Sequence, residues 1–421
     1  MSRRGARWLN STVLGIGLAS LFSDWSHEIA TAAMPAFLAT LGVSAGWLGT
    51  IEGVSDGLSS FAKMASGFYT DKLARRKPVA IAGYVGTAVA TASFAFADKA
   101  WHVLLARATG WFSRGLRTPV RKALLAAAVA PEAYGRAFGL ERAMDTTGAI
   151  IGRLSALLIL QLTGHNFRLL FGWTLVPGLL AATVILFLVN ERERTPVPHI
   201  SFGERLRLLP HNYRKFLTAV GLFGAGDFSH TMLILLATQR LTPSFGLARA
   251  ASAGVLLYVL RNVFYASFSF VAGWLADRFP KNQVLAAGYG LAGVMTLFII
   301  FLPASIWILI HVFVLGGIYI ATEETLEDSL CAELVDTSHH GMAFGVLATV
   351  NGIGDFVSSI VVGALWSAFG IAIGFSYSAI LFFRRGAFDR APSVESPELT
   401  ANCLIMTEPA SPHERRDGPS D

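Results

Sequence analysis

The chain has 421 residues, of which 53% are hydrophobic and only 15% are charged, and its mean hydropathy is +0.53. Water-soluble domains carry about 25% charged residues, so this composition excludes an ordinary soluble domain and favours a protein embedded in lipid. The formal net charge of +6 does not indicate nucleic-acid binding, because no basic face with interleaved aromatic residues stands outside the apolar segments.

Apolar segments long enough to cross a bilayer recur along the whole chain. About 20 helical residues span the roughly 30 Å hydrocarbon core, and continuous apolar runs favour helices over barrel strands. The sequence therefore predicts an all-α integral membrane protein with twelve spans in two sets of six. The first set is predicted at residues 9–40, 46–67, 78–97, 101–129, 135–161 and 167–189. The second set is predicted at residues 216–241, 251–273, 282–302, 305–330, 343–366 and 369–383.

Basic residues concentrate in alternate connections between these spans, beginning with Arg3, Arg4 and Arg7 ahead of the first. Since Lys and Arg accumulate in cytoplasmic loops, both termini are predicted to be cytoplasmic. The expected location is the cell inner (cytoplasmic) membrane or a membrane derived from it. The predicted domains are an N-terminal six-helix bundle at residues 1–190, a cytoplasmic linker at 191–215, a C-terminal six-helix bundle at 216–383 and a disordered cytoplasmic tail at 384–421.

Short motifs recur in the two halves of the sequence. Residues 67–72 read GFYTDK and residues 273–278 read GWLADR, an offset of 273 − 67 = 206. Residues 24–27 read DWSH and residues 227–230 read DFSH, an offset of 227 − 24 = 203. Because the motifs keep one order, the two halves are predicted to be repeats of one unit, as in many transporters.

The first of these motifs resembles the loop signature of the major facilitator superfamily, G-x-x-x-D-[RK]-x-G-[RK]-[RK], with Ala74 in place of the second glycine. The resemblance covers the chain to about residue 383 and implies two pseudo-symmetric six-helix bundles around a central cavity. It also implies a gating loop that holds the outward-open state. The residues assigned to this gating function in the two halves are Gly67, Asp71, Lys72, Arg75, Arg76, Gly273, Asp277 and Arg278.

Five ionisable residues lie inside the first and seventh predicted spans. Asp24, His27 and Glu28 share one helical face because of their i, i+3, i+4 spacing, and Asp227 and His230 repeat the pattern. An ionisable side chain inside the hydrocarbon core costs at least a few kcal/mol, so each is a candidate functional residue. In the resembled fold these two helices line the central cavity, which implies that the five groups converge near the midplane.

Three interpretations of this group remain open. The carboxyl and imidazole groups form a proton relay coupled to transport. Alternatively, Asp24, His27, Asp227 and His230 bind a divalent transition metal such as iron as the transported ion, because both side-chain types are suitable ligands. In the third interpretation, they form a satisfied polar network that only orients the helices.

The fourth predicted span is basic and the tenth is acidic. In the fourth, Arg107, Arg114 and Arg121 are seven residues apart and fall near one face. Ion pairs between the two spans, re-formed during alternating access, are therefore predicted on the cytoplasmic side. The residues assigned to these pairs are Arg107, Arg114, Arg117, Arg121, Glu323 and Glu327.

The last predicted span is short, since its apolar run ends at Phe383. Fifteen residues of helix reach only about 22 Å, less than the hydrocarbon core. The twelfth span is therefore predicted to be short or incomplete.

These features together favour a secondary transporter that works as a monomer on a small-molecule or ion substrate, coupled to protons, in a lipid bilayer. An enzyme is not expected, because no nucleotide-binding loop, nucleophile elbow or closed metal motif is present in the sequence. Cys331 and Cys403 are too few for a disulfide framework, and no cofactor is expected. A membrane sensor or assembly factor on the same scaffold remains the alternative from another functional class.

Overall fold

The computed structural model describes residues 8–42, 45–191, 193, 201–303 and 305–383, and these are helical, with no strand among them. Asn10 begins the first helix, because its side chain accepts hydrogen bonds from the N–H groups of Thr12 and Val13, both at 3.0 Å. The helices of the first half are α1 (Ser11–Thr40), α2 (Ala45–Thr70), α3 (Lys77–Ala92), α4 (Ala100–Ala127), α5 (Tyr134–Leu162), α6 (Phe167–Trp173) and α7 (Leu175–Leu188).

The second half begins after a short connecting helix, α8 (Phe202–Leu208). Its helices are α9 (His211–Gly224), α10 (His230–Phe245), α11 (Leu247–Ala276), α12 (Lys281–Phe301), α13 (Ile306–Leu334), α14 (His340–Phe369) and α15 (Ile371–Phe382). Short 3-10 turns at Ser93–Phe96, Pro131–Ala133 and Thr337–His339 flank three of the longer helices.

Two pseudo-symmetric helix bundles form the molecule, and the predicted all-α membrane fold is confirmed. In the first bundle α1 packs against α5 and α7, and α4 packs against α2 and α3. In the second, α11 packs against α10 and α13, and α12 packs against α13 and α15. The bundles meet where α5 contacts α11 and where α2 contacts α14.

Seven helical segments of the described chain are long and apolar enough, by length and composition alone, to cross a membrane. The helices α1, α2 and α4 are long but carry charged residues within their length, such as Asp24, Asp56 and Arg114. The last helix, α15, has only 12 residues, so it reaches about 18 Å. The prediction of a short last span is confirmed, and the predicted disordered tail at 384–421 lies outside the described residues.

The seventh span differs from the prediction, because it is two helices rather than one. The chain leaves helical geometry between α9 and α10, and Asp227 lies in this break. Gly224 is the last residue of α9, Gly226 lies in the break, and the Ser358 hydroxyl donates a hydrogen bond to the main-chain oxygen of Asp227. Unwound backbone at membrane depth is tolerated where protein groups or a cavity satisfy it. By contrast, α1 continues without interruption through Asp24.

The connection between the two bundles is also more ordered than a simple linker. The helix α8 lies within the predicted linker at 191–215, and Ser201 and Glu204 form a capping box at its start. The Arg205 side chain is fully buried and lies 5.1 Å from the centre of the Phe68 ring at the end of α2. The following helix, α9, begins at His211, five residues before the predicted span.

Glycines bring the two bundles into backbone contact. A Cβ atom added at Gly67 would lie 2.2 Å from the carbonyl oxygen of Gly341, and one at Gly273 would lie 2.1 Å from that of Gly135. No side chain fits at either position without moving a helix. Small residues permit such close packing of membrane helices.

Replacing Gly273 by valine should therefore separate the bundles and lower stability by about 1–3 kcal/mol, the usual cost of overpacking. The thermal unfolding midpoint of the purified protein in detergent measures the change. The matched control is Gly290→Val, since no atom lies within 4 Å of a Cβ built at Gly290. Equal midpoints for the two variants would contradict the close approach.

Candidate functional site

A buried carboxylate joins the two bundles at the end of the molecule that carries the basic loops 71–76 and 277–280, here called the basic end. Asp71, at the end of α2, accepts hydrogen bonds from the main-chain N–H groups of Gly341 (3.0 Å) and Met342 (2.8 Å). These N–H groups belong to the first turn of α14, where the helix dipole favours a negative charge. Arg76 forms an ion pair with the same carboxylate. We call this contact the first latch.

The second latch is the pseudo-symmetric counterpart of the first. Asp277, after α11, accepts hydrogen bonds from the N–H groups of Gly135 (2.8 Å) and Arg136 (3.1 Å) in the first turn of α5. The Arg136 side chain adds an ion pair at 2.6 Å. Charge-assisted hydrogen bonds are stronger than neutral ones, so the two latches are strong contacts between the bundles at the basic end.

Three further cations of the predicted gating loop, Lys72, Arg75 and Arg278, have partners nearby. Lys72 lies 4.0 Å from the centre of the Phe68 ring, and Arg278 lies 3.8 Å from that of Trp274. Arg75 forms an exposed ion pair with Glu193 at 2.5 Å. Within the described residues these three cations make no direct link between the bundles, whereas Arg76 also donates a hydrogen bond to the main-chain oxygen of Thr337 at 3.4 Å and Arg136 pairs with Asp277.

The polar face of α1 is paired within the first bundle. Asp24 forms two contacts with Arg114, at 2.7 Å and 3.1 Å. Glu28 forms an ion pair with Arg153 of α5 at 2.9 Å. His27 packs edge-on against Trp111, with 5.2 Å between ring centres. Each carboxylate thus has a cation of its own.

The arginines of α4 also find their partners in the first bundle, which corrects the prediction that they pair with the tenth span. Arg107 pairs with Glu52 at 3.2 Å, and Arg121 pairs with Glu141 at 2.9 Å. Arg117 donates a hydrogen bond to Ser23 and lies over the ring of Tyr84. These partners follow from geometry, because the face of α4 that bears the arginines points towards α1, α2 and α5.

The two carboxylates of α13 that were expected to meet these arginines have other surroundings. Glu327 accepts hydrogen bonds from Tyr289 and Asn351, both at 2.6 Å, and Glu323 has no ion pair with a described residue.

Three other ion pairs between described residues cross between the bundles near the basic end, the longest being that of Arg142 with Asp328 at 3.7 Å. Lys122 contacts Asp328 at 2.6 Å, and Arg142 contacts Glu324 at 2.8 Å. The pair of Lys122 and Asp328 joins positions separated by 328 − 122 = 206 residues, which is the repeat offset, so the sequence held a signal for it. Charges of opposite sign therefore do link α4 and α13, but through Lys122 and Asp328 rather than through the predicted residues.

The second bundle contains a cavity of about 330 Å³ that lies about halfway along its helices. The Tyr319 hydroxyl donates a 2.8 Å hydrogen bond to Asp227, and the ring of His230 stacks on that of Tyr258 with 5.1 Å between centres. The residues that line the cavity are Asp227, Phe228, Ser229, His230, Tyr258, Arg261, Asn262, Tyr265, Tyr319, Ile320, Glu324 and Asp355.

Direct contacts divide the five ionisable groups of the first and seventh spans into two sets, which Arg153 connects because it pairs with Glu28 and lies 5.0 Å from the centre of the Tyr258 ring. Asp24, His27 and Glu28 are engaged by α4 and α5, whereas Asp227 and His230 face the cavity of the second bundle. Across the described ranges, no group of three or more His, Cys, Asp or Glu side chains is placed to hold a metal ion. The transition-metal interpretation of Asp24, His27, Asp227 and His230 is not supported by this geometry.

Comparison with known proteins identifies the family. The family model described as Major Facilitator Superfamily matches residues 16–260 and 219–402. The chain is 26% identical over 361 residues to an uncharacterized MFS-type transporter of Methanocaldococcus jannaschii, covering 86% of this chain and 89% of that protein. It is 26% identical over 367 residues to the multidrug resistance protein MdtH of Cronobacter sakazakii, covering 85% and 82%.

Solved structures show the same fold at low sequence identity. The human organic anion transporter MFSD10 superimposes with a TM-score of 0.72 at 15% identity, covering 91% of this chain and 99% of that one. The Fucose:proton symporter FucP of E. coli superimposes with a TM-score of 0.70 at 17% identity, covering 91% and 98%.

Loss of one latch carboxylate should loosen the basic end. Asp71→Asn removes the charge that faces the first turn of α14 and leaves Arg76 without its counter-ion. We expect an engineered Ala276→Cys thiol, buried beside Gly135, to react at least about fivefold faster with a maleimide, since coupling between conformational states is typically worth about 1–3 kcal/mol.

The measurement is the labelling rate of the full chain in nanodiscs, with Cys403 replaced by serine and the rate of the parent without Ala276→Cys subtracted. Glu193→Gln, which removes an exposed ion pair, is the control and should leave the rate unchanged. An unchanged rate in Asp71→Asn would mean that the first latch does not hold the bundles together.

Proposed function

Because the chain belongs to the major facilitator superfamily, we propose that it is a secondary active transporter that moves a small solute across a membrane by alternating access, with coupling to protons. The observation that carries the proposal is the pair of reciprocal latches. Asp71 of the first bundle holds the second, and Asp277 of the second bundle holds the first. Matching contacts at the same end of two repeated bundles suit a rearrangement in which that end opens and closes as a unit.

The orientation of the transporter follows from the basic loops. With the positive-inside rule, the basic end and both termini are cytoplasmic, so the latched structure is closed towards the cytoplasm. Release of both latches would let residues 1–190 rock against residues 216–383 and open the cytoplasmic side. The protein works as a monomer in the inner membrane in this proposal.

Proton coupling is supported by the unequal pairing of carboxylates in the two bundles. Asp24 and Glu28 sit in ion pairs, so a proton on either would leave an arginine without its counter-ion. Asp227 accepts a hydrogen bond from a neutral tyrosine and has no ion pair among the described residues. A carboxylate of that kind can gain and lose a proton without breaking a buried pair. We therefore assign the coupling proton to Asp227 rather than to α1.

The relatives agree with this class of function. FucP is described as a Fucose:proton symporter and MdtH as a multidrug resistance protein. Both descriptions concern the movement of small solutes, and one concerns protons. They support a proton-coupled carrier and leave the solute to be identified by experiment.

Transport by the purified protein in liposomes tests this proposal directly. An imposed pH gradient should drive uptake of one or more solutes from a panel of organic acids, amines, sugars and divalent metals. Asp227→Asn should reduce gradient-driven uptake about tenfold or more, because an asparagine cannot carry the proton that links the two gradients. Exchange of solute at equal pH should persist in that variant.

The control is Asp98→Asn, which alters an exposed carboxylate outside the membrane spans. The hydrogen bond and charge of Arg168 lower the pKa of Asp98, so it stays ionised near neutral pH and cannot carry coupling protons. Uptake that ignores the pH gradient in the unmodified protein would refute proton coupling. Gradient-driven uptake that survives Asp227→Asn would refute the assignment to Asp227.

A further inference from the structure

We propose that the cavity of the second bundle binds the anionic group of a small organic acid, held between Arg261 and the N-terminal turn of α10. As a statement about the transported solute, this rests on the proposed function. As a statement about a binding site, it stands on the geometry alone.

One face of α11 supplies the donors. Tyr258, Arg261, Asn262 and Tyr265 are spaced i, i+3, i+4 and i+7, so they form one stripe, and all four line the cavity. Arg261 is 5% exposed and Asn262 is 6% exposed. Neither Nε of Arg261 nor Nδ2 of Asn262 has a hydrogen-bond partner. Buried donors without partners are costly, and a bound acceptor group would satisfy them.

Arg261 lies in the same cavity as three carboxylates but forms an ion pair with none of them. Glu324 is taken by Arg142 at 2.8 Å and by the hydroxyl of Tyr265 at 2.5 Å. Asp227 accepts its hydrogen bond from Tyr319. Asp355 is exposed and, within the described ranges, lies in no ion pair. Arg261 is therefore a buried cation in direct contact with no carboxylate of the described residues, so its donors remain open to the carboxylate of a ligand.

The break in the seventh span places a helix N-terminus at the same cavity. The helix α10 has 16 residues and starts at His230, and both His230 and its N-cap Ser229 line the cavity. Ser229 accepts hydrogen bonds from the N–H groups of Thr231 and Met232, so what α10 offers an anion is chiefly the positive end of its helix dipole. Arg261 and α10 thus offer two independent anion-binding elements in one space, as in transporters whose broken helices point at an anionic substrate.

The remaining wall of the cavity favours a flat, ring-sized solute. The rings of His230 and Tyr258 stack on each other at 14° from parallel, and Arg153 lies 5.0 Å from the centre of the Tyr258 ring, so the two rings make part of the cavity wall aromatic. A volume of about 330 Å³ is at the small end of ligand sites, which range over about 300–1,000 Å³. A carboxylate on an aromatic ring, such as benzoate, fits both the donors and the wall.

Binding of three matched probes tests the inference without any gradient. The full chain in nanodiscs is titrated calorimetrically with benzoate, benzyl alcohol and benzylamine, which share a ring and differ in charge. We expect benzoate to bind at least about tenfold more tightly than the other two, since one charge-assisted contact is worth about that much. Arg261→Gln should abolish this preference, and Arg261→Lys should retain part of it.

Arg240→Gln is the control, because Arg240 lies on α10 outside the cavity and donates to the main-chain oxygen of Ile299. If Arg261→Gln fails to fold, Asn262→Ala provides the second variant and should weaken benzoate binding about threefold or more, the loss expected for one hydrogen bond. Preference for benzylamine, no binding of benzoate by the unmodified protein, or equal binding in a folded Arg261→Gln variant would each overturn the inference.

The outcomes also separate this inference from the proposed function. If the protein binds benzoate through Arg261 but moves no solute in liposomes, the anion site is supported and the transporter proposal is refuted. If the protein shows proton-coupled flux of another solute but does not bind benzoate, the transporter proposal is supported and the anion site is refuted.

Discussion

The rest of the structure depends on two carboxylates, each of which lies against the first turn of a helix in the other bundle. Asp71 and Asp277 satisfy main-chain N–H groups that a helix start leaves unpaired. Glycines allow these helices to approach closely enough for the contact to form. The contacts are strong because they are buried and charged, yet they are few. A closed end that rests on a few strong contacts can open as a unit, as a two-state rearrangement requires.

The two bundles differ in how their buried charged side chains are paired. In the first, the arginines of α4 neutralise buried carboxylates on neighbouring helices, including Asp24 and Glu141. In the second, Asp227, Glu323 and Arg261 lie in no ion pair with another described residue. A paired bundle is rigid, whereas an unpaired one can exchange a proton or a ligand. We infer that the first bundle acts as the fixed partner and that the second carries the site.

Much of the fold and of the latch contacts could be predicted from the sequence, because the repeat shows which residues of one half correspond to which residues of the other. The shared GxxxD motif predicted gating contacts in both halves, and the structure places Asp71 and Asp277 in matching contacts. The ion pairs were harder to predict, because the carboxylate that each arginine contacts depends on the rotation of each helix about its axis. The sequence-based expectation therefore placed Asp24 at a shared centre, although Arg114 holds it in the first bundle. The break at Asp227 was missed because hydropathy does not register a few unwound residues inside an apolar run.

Distances across both ends of the bundles in liposomes test the central claim most directly. One pair of spin labels at Glu132 and Asp336 reports the basic end, and a second pair at Lys99 and Leu302 reports the opposite end, all four positions being exposed. The account predicts two populations in which a long distance at one end always accompanies a short distance at the other. Distances that lengthen together at both ends, or a basic end that never opens, would contradict alternating access controlled by the latches.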